Sequence, residues 1–310
     1  MNEKIAKIKE EISKAVTGKD EIIEKVMAAI LAGGHILLED IPGVGKTTLA
    51  LALSKSMGLE FNRVQFTPDV VPSDITGFTM FEKNSGDFEY KPGAIMCNFF
   101  LADEINRTSS KTQSALLEVM QEGKVTVDGI SHKVPEPFIV MATQNPIGTI
   151  GTQMLPEAQL DRFMIQLSMG YPTFEQQIEI LRNRHKEDPL ESIRQAITVN
   201  ELEEMIAQVK EIFVDVKIYK YITMLTEATR NHELIKLGVS PRGALALCAI
   251  AKAEGYLKGR NYVVPEDVAN LFVDVCKHRI ILNPKAQLAD KSKEMILVEI
   301  LKEIKAPTLD

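Results

Sequence analysis

The chain has 310 residues, 45% hydrophobic and 25% charged, with 36 basic against 43 acidic side chains and a net charge of −7. That composition suits a folded globular protein long enough for two domains, each with its own core, and the acidic balance argues against broad, sequence-blind binding to nucleic acid. The longest apolar run is about eight residues (244–251), too short to cross a bilayer, the charged N-terminus lacks a signal core, and the three cysteines form no C-x-x-C pair, so the expectation is a cytoplasmic protein with Cys97, Cys248 and Cys276 as small core residues.

In chain order, Ile5, Ile8, Ile12 and Val16 give one apolar face to a helix over 3–16. A second helix over 20–32 ends at Gly33-Gly34, and 35–39 reads as a buried strand. The helix predicted over 47–57 is apolar nearly all round from Leu49 to Leu53, as suits a helix packed against a sheet, and Gly58 stops it. Further strands are predicted at 61–66, 98–103, 138–143 and 163–168. Residues 99–102 and 138–142 are continuously apolar, as strands covered on both faces are. A helix over 110–122 lies between two of them, so strands alternate with helices and the sheet is parallel. Two segments interrupt the alternation: 77–90, a hairpin turning at Asn84-Ser85-Gly86, and 124–134, a hairpin with Asp128-Gly129 as a type I′ turn. Tyr171-Pro172 marks a break, and from 173 onward only helical pattern is visible. There Asn200 and Glu203 are placed for a capping box, and Ser240-Pro241 for an N-cap with proline at N1. The boundary falls within 170–195, giving an α/β core of residues 1–190 and an all-α domain of residues 191–310.

The chemistry concentrates in the core. Residues 40–48 read Asp-Ile-Pro-Gly-Val-Gly-Lys-Thr-Thr, between a strand and a helix, which is the context of a phosphate-binding loop. Backbone N–H groups ending at a helix N-terminus wrap a polyphosphate. Pro42, Gly43, Val44, Gly45, Lys46, Thr47 and Thr48 are the expected contacts, with Lys46 on the β- and γ-phosphates and the Thr47 hydroxyl on Mg²⁺. The strict pattern has glycine where this chain has Asp40. Glycine there serves the turn rather than the ligand, and a carboxylate would cap the loop or face away from phosphate. The alternative is a plain glycine-rich turn with an exposed lysine.

Residues 99–104 describe a strand whose C-terminal tip delivers two carboxylates: Asp103 to hold Mg²⁺ through water, Glu104 to polarise the attacking water. Alone, the same residues read as a strand leaving into a solvated acidic turn. Asn145, in Ala142-Thr-Gln-Asn-Pro146, sits at another strand tip, where it would orient water, touch the γ-phosphate or merely form an Asn-Pro turn. Spacing alone does not assign Arg162 or Arg242, since a salt-bridged surface arginine is commoner than a catalytic one. Arg242 lies in a first helical turn, where a cation is mildly unfavourable and an anionic partner would offset the cost. His35, His132, His185, His232 and His278 show no ligand spacing, and no G-x-S-x-G or N-K-x-D motif is present.

Together these residues resemble the AAA+ ATPases, and within them the MoxR family. Residues 34–47 are similar to that family's phosphate loop, in which a non-glycine at position 40 is tolerated. Residues 65–77 (Gln-Phe-Thr-Pro-Asp-Val-Val-Pro-Ser-Asp-Ile-Thr-Gly), 101–107 (Leu-Ala-Asp-Glu-Ile-Asn-Arg), 143–146 and 155–163 are similar to its other signatures. The likeness runs from Val16 to Leu288. It implies a P-loop NTPase core with a parallel five-stranded sheet, the two hairpins as helix-2 and pre-sensor-1 inserts, and an all-α lid. It implies ATP and Mg²⁺ as cofactors, Asn145 as sensor 1, Arg162 as an arginine finger acting on a neighbouring subunit's ATP, and Arg242 as sensor 2 reaching its own chain's nucleotide. Residues 16–18 are placed near the adenine. A hexameric ring is a further implication, as is chaperone-like remodelling of a partner carrying a von Willebrand factor A domain. The alternatives are a nucleotide-gated scaffold with little turnover, which the presence of Glu104 disfavours, and a DNA-associated motor. Against the latter stand the acidic charge and the absence of a G-A-F-T-G-A loop.

Overall fold

A computed structural model describes residues 3–84, 86–145, 155–183 and 188–308. Helices α1 (Glu3–Ser13) and α2 (Asp20–Leu31) lead to strand β1 (Ile36–Glu39), helix α3 (Lys46–Ser56) and strand β2 (Phe61–Gln65). The short α4 (Pro72–Thr76) opens the first hairpin, β3 (Gly77–Glu82) with β4 (Asp87–Pro92), and β5 (Phe99–Asp103) and α5 (Ser110–Glu122) follow. The second hairpin is β6 (Lys124–Val127) with β7 (Ile130–Lys133); then come β8 (Ile139–Gln144), α6 (Glu157–Leu160) and β9 (Ile165–Leu167). Helices α7 (Phe174–Asn183), α8 (Val199–Lys210) and α9 (Val216–Asn231) precede β10 (Ile235–Leu237), α10 (Pro241–Leu257), α11 (Pro265–Cys276), β11 (Ile281–Leu282), α12 (Pro284–Leu288) and α13 (Lys293–Glu303).

Five strands form one parallel sheet in the order β2-β5-β8-β1-β9. Leu38, Phe99, Leu101, Met141 and Ile165 enter the apolar cluster on one face, and Leu37, Phe100, Ala102, Val140 and Ala142 the cluster on the other. Both faces are covered, by α3 on the first and α5 on the second, which is why these strands are apolar without alternation. The chain leaves β1 for the far edge at β2 and ends the sheet at β9 on the opposite side of β1. That makes β1 the topological switch point, outside whose carboxyl end open α/β sheets hold ligands.

The expected strands, α3, α5 and both hairpins are present. Asp128 (φ 50) and Gly129 (φ 81) are both left-handed, as a type I′ turn requires. Ser85, in the first hairpin's turn, lies outside the described residues. Tyr90 stacks on His132 at 3.8 Å between ring centroids, joining the two hairpins.

Two sequence expectations need correction. Helix α8 is capped two residues early: the Thr198 hydroxyl accepts from the Glu201 N–H (3.3 Å) and the Glu201 carboxylate accepts from the Thr198 N–H (2.8 Å). Both T-x-x-E and N-x-x-E registers exist in the sequence, and the earlier one puts buried Ile197 and Leu202 in the hydrophobic-staple positions. Second, β10 and β11 pair antiparallel within the region read only as helix; strands this short carry no detectable period. Apolar packing also continues between residues 1–190 and 191–310. The cluster on the α3 face of the sheet runs through Ile23, Met27 and Ile30 of α2 into Leu202, Leu247, Leu271 and Ile296 of α8, α10, α11 and α13. An amphipathic helix shows that it has a buried side, not which element covers it.

Candidate active site

The phosphate loop joins β1 to α3. Gly43 (φ 86) and Gly45 (φ 95) take left-handed backbone angles that side chains resist, and a Cβ at Gly43 would meet nothing within 4 Å, so its freedom serves the turn rather than packing. Lys46 Nζ donates to the carbonyls of Asp40 (3.0 Å) and Ile41 (2.7 Å). Burial lowers its pKa, while the charges of Asp40, Asp103 and Glu104 oppose that fall; the ammonium therefore sits among the three carboxylates. Asp40 is turned away from the hollow of the loop. Its Oδ1 accepts from the Ile41 N–H (3.0 Å), and its Oδ2 accepts from the Ser168 hydroxyl (3.1 Å) and the N–H groups of Met169 and Gly170. The residue that breaks the strict pattern stitches the loop to the chain after β9. A cleft of about 700 Å³ opens beside it, lined by Val16, Thr17, Gly43, Thr48, Tyr171 and Leu181 among others.

The two acids stand at the tip of β5. Asp103 accepts from the Thr143 hydroxyl through Oδ1 (2.6 Å) and from Arg63 Nη2 through Oδ2 (2.6 Å). Glu104 has φ 58, an uncommon conformation for a residue with a side chain and one that collects at functional sites. Its N–H donates to the same Thr143 hydroxyl (2.8 Å), and its carboxylate accepts from Arg107 Nη1 (2.7 Å) and Asn145 Nδ2 (3.1 Å). Burial raises its pKa, but hydrogen bonds from Arg107, Asn145 and Gln65, with the Arg107 charge, outweigh burial and hold it below the ordinary value. Asn106 fixes the Asn145 backbone from both sides, donating to its carbonyl (3.2 Å) and accepting from its N–H (3.4 Å). Pro146 lies outside the described residues.

Sequence reasoning missed Arg63, Arg107, Asn106 and Thr143. Arg107, three residues after Glu104, and Thr143, a hydroxyl in an apolar strand, left a faint signal. Arg63 left none, because it reaches Asp103 only through the β2–β5 register. Thr47 and Asp103 offer hydroxyl and carboxylate oxygens and no soft ligand, a donor set that suits Mg²⁺. The histidines stand apart from this chemistry. His35 accepts from the Val140 N–H through Nδ1 (3.1 Å) and its Nε2 faces the Met120 carbonyl (3.0 Å); His278 Nε2 faces the Phe163 carbonyl; His185 lies outside the described residues. Cys97 and Cys276 are buried and Cys248 half-buried, all free thiols.

Arg162 and Arg242 lie elsewhere. They line a second depression of about 350 Å³, with Gly34, Met120, Leu245 and Arg279, which shares no lining residue with the phosphate-loop cleft. Ser240 caps α10, accepting from the Gly243 N–H (3.1 Å), and donates to Asp161 Oδ2 (2.9 Å). Asp161 Oδ1 accepts from Arg279 Nε (2.8 Å). Asp161, which also lines this depression, thus helps to dock α10 onto the turn that carries Arg162. Burial lowers the Arg279 pKa and the nearby Arg242 charge adds to this, against the pull of Cys276 and Asp161. Among the described residues neither Arg162 nor Arg242 forms an ion pair, and Arg162 Nε is buried without a partner. Arg242, which the resemblance assigns to its own chain's nucleotide, lines the same depression as Arg162, α10 packing on α2 with its cap Ser240 bonded to Asp161.

Residues 35–165 match the family model described as "ATPase family associated with various cellular activities (AAA)", and residues 227–300 match an AAA lid domain. The chain is 36% identical to "Chaperone MoxR1" of Mycobacterium tuberculosis, over 97% of this chain and 81% of that protein. The chain belongs to the MoxR family of AAA+ ATPases. Other MoxR-like relatives agree: "Protein MoxR" of Methylorubrum extorquens is 30% identical over 90% of this chain and 88% of that one. "Uncharacterized protein YeaC" of Bacillus subtilis is 46% identical over 98% and 95%. A solved structure from Cytophaga hutchinsonii, described as a "putative ATPase", superposes with a TM-score of 0.90 at 36% identity, over 98% of this chain and 95% of that one. AAA+ membership carries nucleotide binding and ATPase activity as properties of the family. No helix among the described residues is long and apolar enough to cross a membrane.

Proposed function

We propose that this MoxR-family protein hydrolyses ATP with Mg²⁺ in a hexameric ring whose sites lie between subunits, and uses the cycle to remodel or mature a partner protein. The observation that carries this is that Arg162 and Arg242 line a depression sharing no residue with their own chain's phosphate-loop cleft, and that neither forms an ion pair among the described residues, the one carboxylate lining it, Asp161, being bonded to Ser240 and Arg279. Three arginines against one aspartate leave this depression with an excess of positive charge that fits an anion brought from outside, and a second subunit's triphosphate has that charge. Head-to-tail assembly sets the two surfaces against each other in every copy. Both arginines then serve the neighbour's nucleotide, adding positive charge where negative charge shifts during transfer.

Within one chain, Lys46 and the loop N–H groups hold the phosphates. Thr47 and Asp103 hold Mg²⁺, which when bound neutralises charge on the β- and γ-oxygens. Glu104 orients the attacking water and accepts its proton, and its lowered pKa keeps it ionised for that task. Asn145 holds one Glu104 oxygen and, as sensor 1, would meet the γ-phosphate.

Glu104→Gln is expected to keep binding of a fluorescent ATP analogue and to lose turnover by roughly a hundredfold or more. Arg162→Ala is expected to lose on the order of a thousandfold in the assembled protein. Mixing Glu104→Gln with Arg162→Ala is the decisive measurement. Where an intact Glu104 meets an intact neighbouring Arg162, turnover returns, and the same holds for Glu104→Gln mixed with Arg242→Ala. Mixtures as inactive as their parents would place the arginines on their own nucleotide and end the shared-site reading. For the partner class, the Glu104→Gln protein with ATP should retain a von Willebrand factor A domain on pull-down; no such domain above an ATP-free control removes that part.

A further inference from the structure

We propose that the outward stripe of α7 is the seat for the start of α10 from a second copy of this chain, so that one helix both borders the nucleotide cleft and makes the subunit joint. This rests on the shared-site reading above. In α7, Phe174, Ile178 and Leu181 fall at i, i+4 and i+7, one stripe of a helix. Such a stripe ordinarily faces the core. Here it faces out: Phe174 is 78%, Ile178 50% and Leu181 63% exposed, and Tyr171 just before the helix 77%.

The helix is held in that orientation. Thr173 and Gln176 form a T-x-x-Q capping box, the Thr173 N–H donating to Gln176 Oε1 (3.0 Å) and the Gln176 N–H to the Thr173 hydroxyl (3.3 Å). Gln176 Nε2 also donates to the Gly18 carbonyl (3.0 Å). The polar side is therefore tied down against residue 18, and the apolar side is left for something else. A contiguous apolar patch of this kind marks an interaction site.

Two observations select the occupant. The stripe runs into the nucleotide cleft, which Tyr171 and Leu181 help to line. On the other surface, Leu245 is 72% exposed at the rim of the arginine depression, three residues after Arg242 and so on the same helical face. If Arg242 reaches into a neighbour's cleft, Leu245 lands on that cleft's rim, which is the α7 stripe. Charge is compatible. α7 carries Glu175 and Glu179 beside its stripe and Arg182 in its last turn, while Arg242 is the sole charge in residues 241–251 of α10, so two acids against one base border an apolar seat that meets a base-flanked apolar knob.

The test is sedimentation of the full chain with a non-hydrolysable ATP analogue. Ile178→Glu and Leu245→Glu change exposed side chains, and each is expected to raise the protein concentration needed for assembly by about tenfold or more. Ile178→Glu should bind a fluorescent ATP analogue as the unaltered chain does, since Ile178 does not line the cleft. An equimolar mixture of the two variants should form dimers and nothing larger, because one intact seat and one intact knob remain in each pair and neither free face can extend it. Should either variant lose its helical circular dichroism, Phe174→Ser is to show the same loss of assembly with an unchanged melting curve. Normal assembly by Ile178→Glu, or a mixture no different from its parents, overturns the joint while the mixing of catalytic variants above stands on its own. An unaltered chain that stays monomeric with the analogue at every concentration overturns the shared site itself.

Discussion

Glu104 combines a left-handed backbone, an engaged carboxylate and a main-chain bond to Thr143. A non-glycine residue in that region costs about 1–3 kcal/mol, so the surrounding hydrogen bonds hold the base in a geometry it would not choose alone. Arg107 is the leading group that lowers its pKa against burial. A base must be ionised, and removing a group that depresses its pKa moves the loss of activity to higher pH. Arg107→Gln is thus expected to shift the acid limb of the kcat/KM profile upward, and an unmoved limb would separate Arg107 from the base. Asp40 makes the complementary point. Restoring the strict motif with Asp40→Gly removes the acceptor for the N–H groups of buried Met169 and half-buried Gly170, and an orphaned buried donor costs roughly 1–3 kcal/mol. Urea unfolding should show Asp40→Gly as less stable, although it matches the motif better.

At the scale of elements, His35 ties the start of β1 to β8 and α5 through Val140 and Met120. With Nδ1 accepting, the ring is neutral and donates from Nε2, and burial lowers its pKa from 6.5 to about 4. Between those two values the unfolded chain binds a proton that the folded chain refuses. The stability it supplies is therefore complete above about pH 6.5 and lost as pH falls toward 4, up to about 3 kcal/mol in all. His35→Gln is expected to flatten the fall of the urea midpoint across that window; an equally steep fall would assign the effect to other groups. His35 also shows what the sequence made legible. The strands around it were readable because unbroken apolar runs of four to six residues have one structural meaning between helices, and the loop at 40–48 was readable from its spacing and flanks. The Thr198 cap, the β10–β11 pair, the bond from Arg63 to Asp103 and the docking of Ser240 and Arg279 on Asp161 were not. Each depends on a partner brought in by the folded register, or on a choice between two equally good local signals, and periodicity carries neither. The position of Arg242 belongs to the same group: its helix was visible, but the surface on which that helix starts was not.

At the scale of the whole molecule, the apolar cluster that begins under the sheet passes through α2 and ends among α8 to α13. Among the described residues the cluster is continuous from one end to the other, so heat should unfold the chain in one transition, with calorimetric and van't Hoff enthalpies equal; two resolved transitions would show that core and lid melt apart. A lid that shares its packing with the sheet has no cleavage plane along which to swing. A close-packed interior transmits displacement rather than absorbing it, so each copy would behave as one stiff voussoir, the wedge-shaped block of an arch. The force released by hydrolysis would then appear as rocking at the joints between blocks and not as bending within any of them.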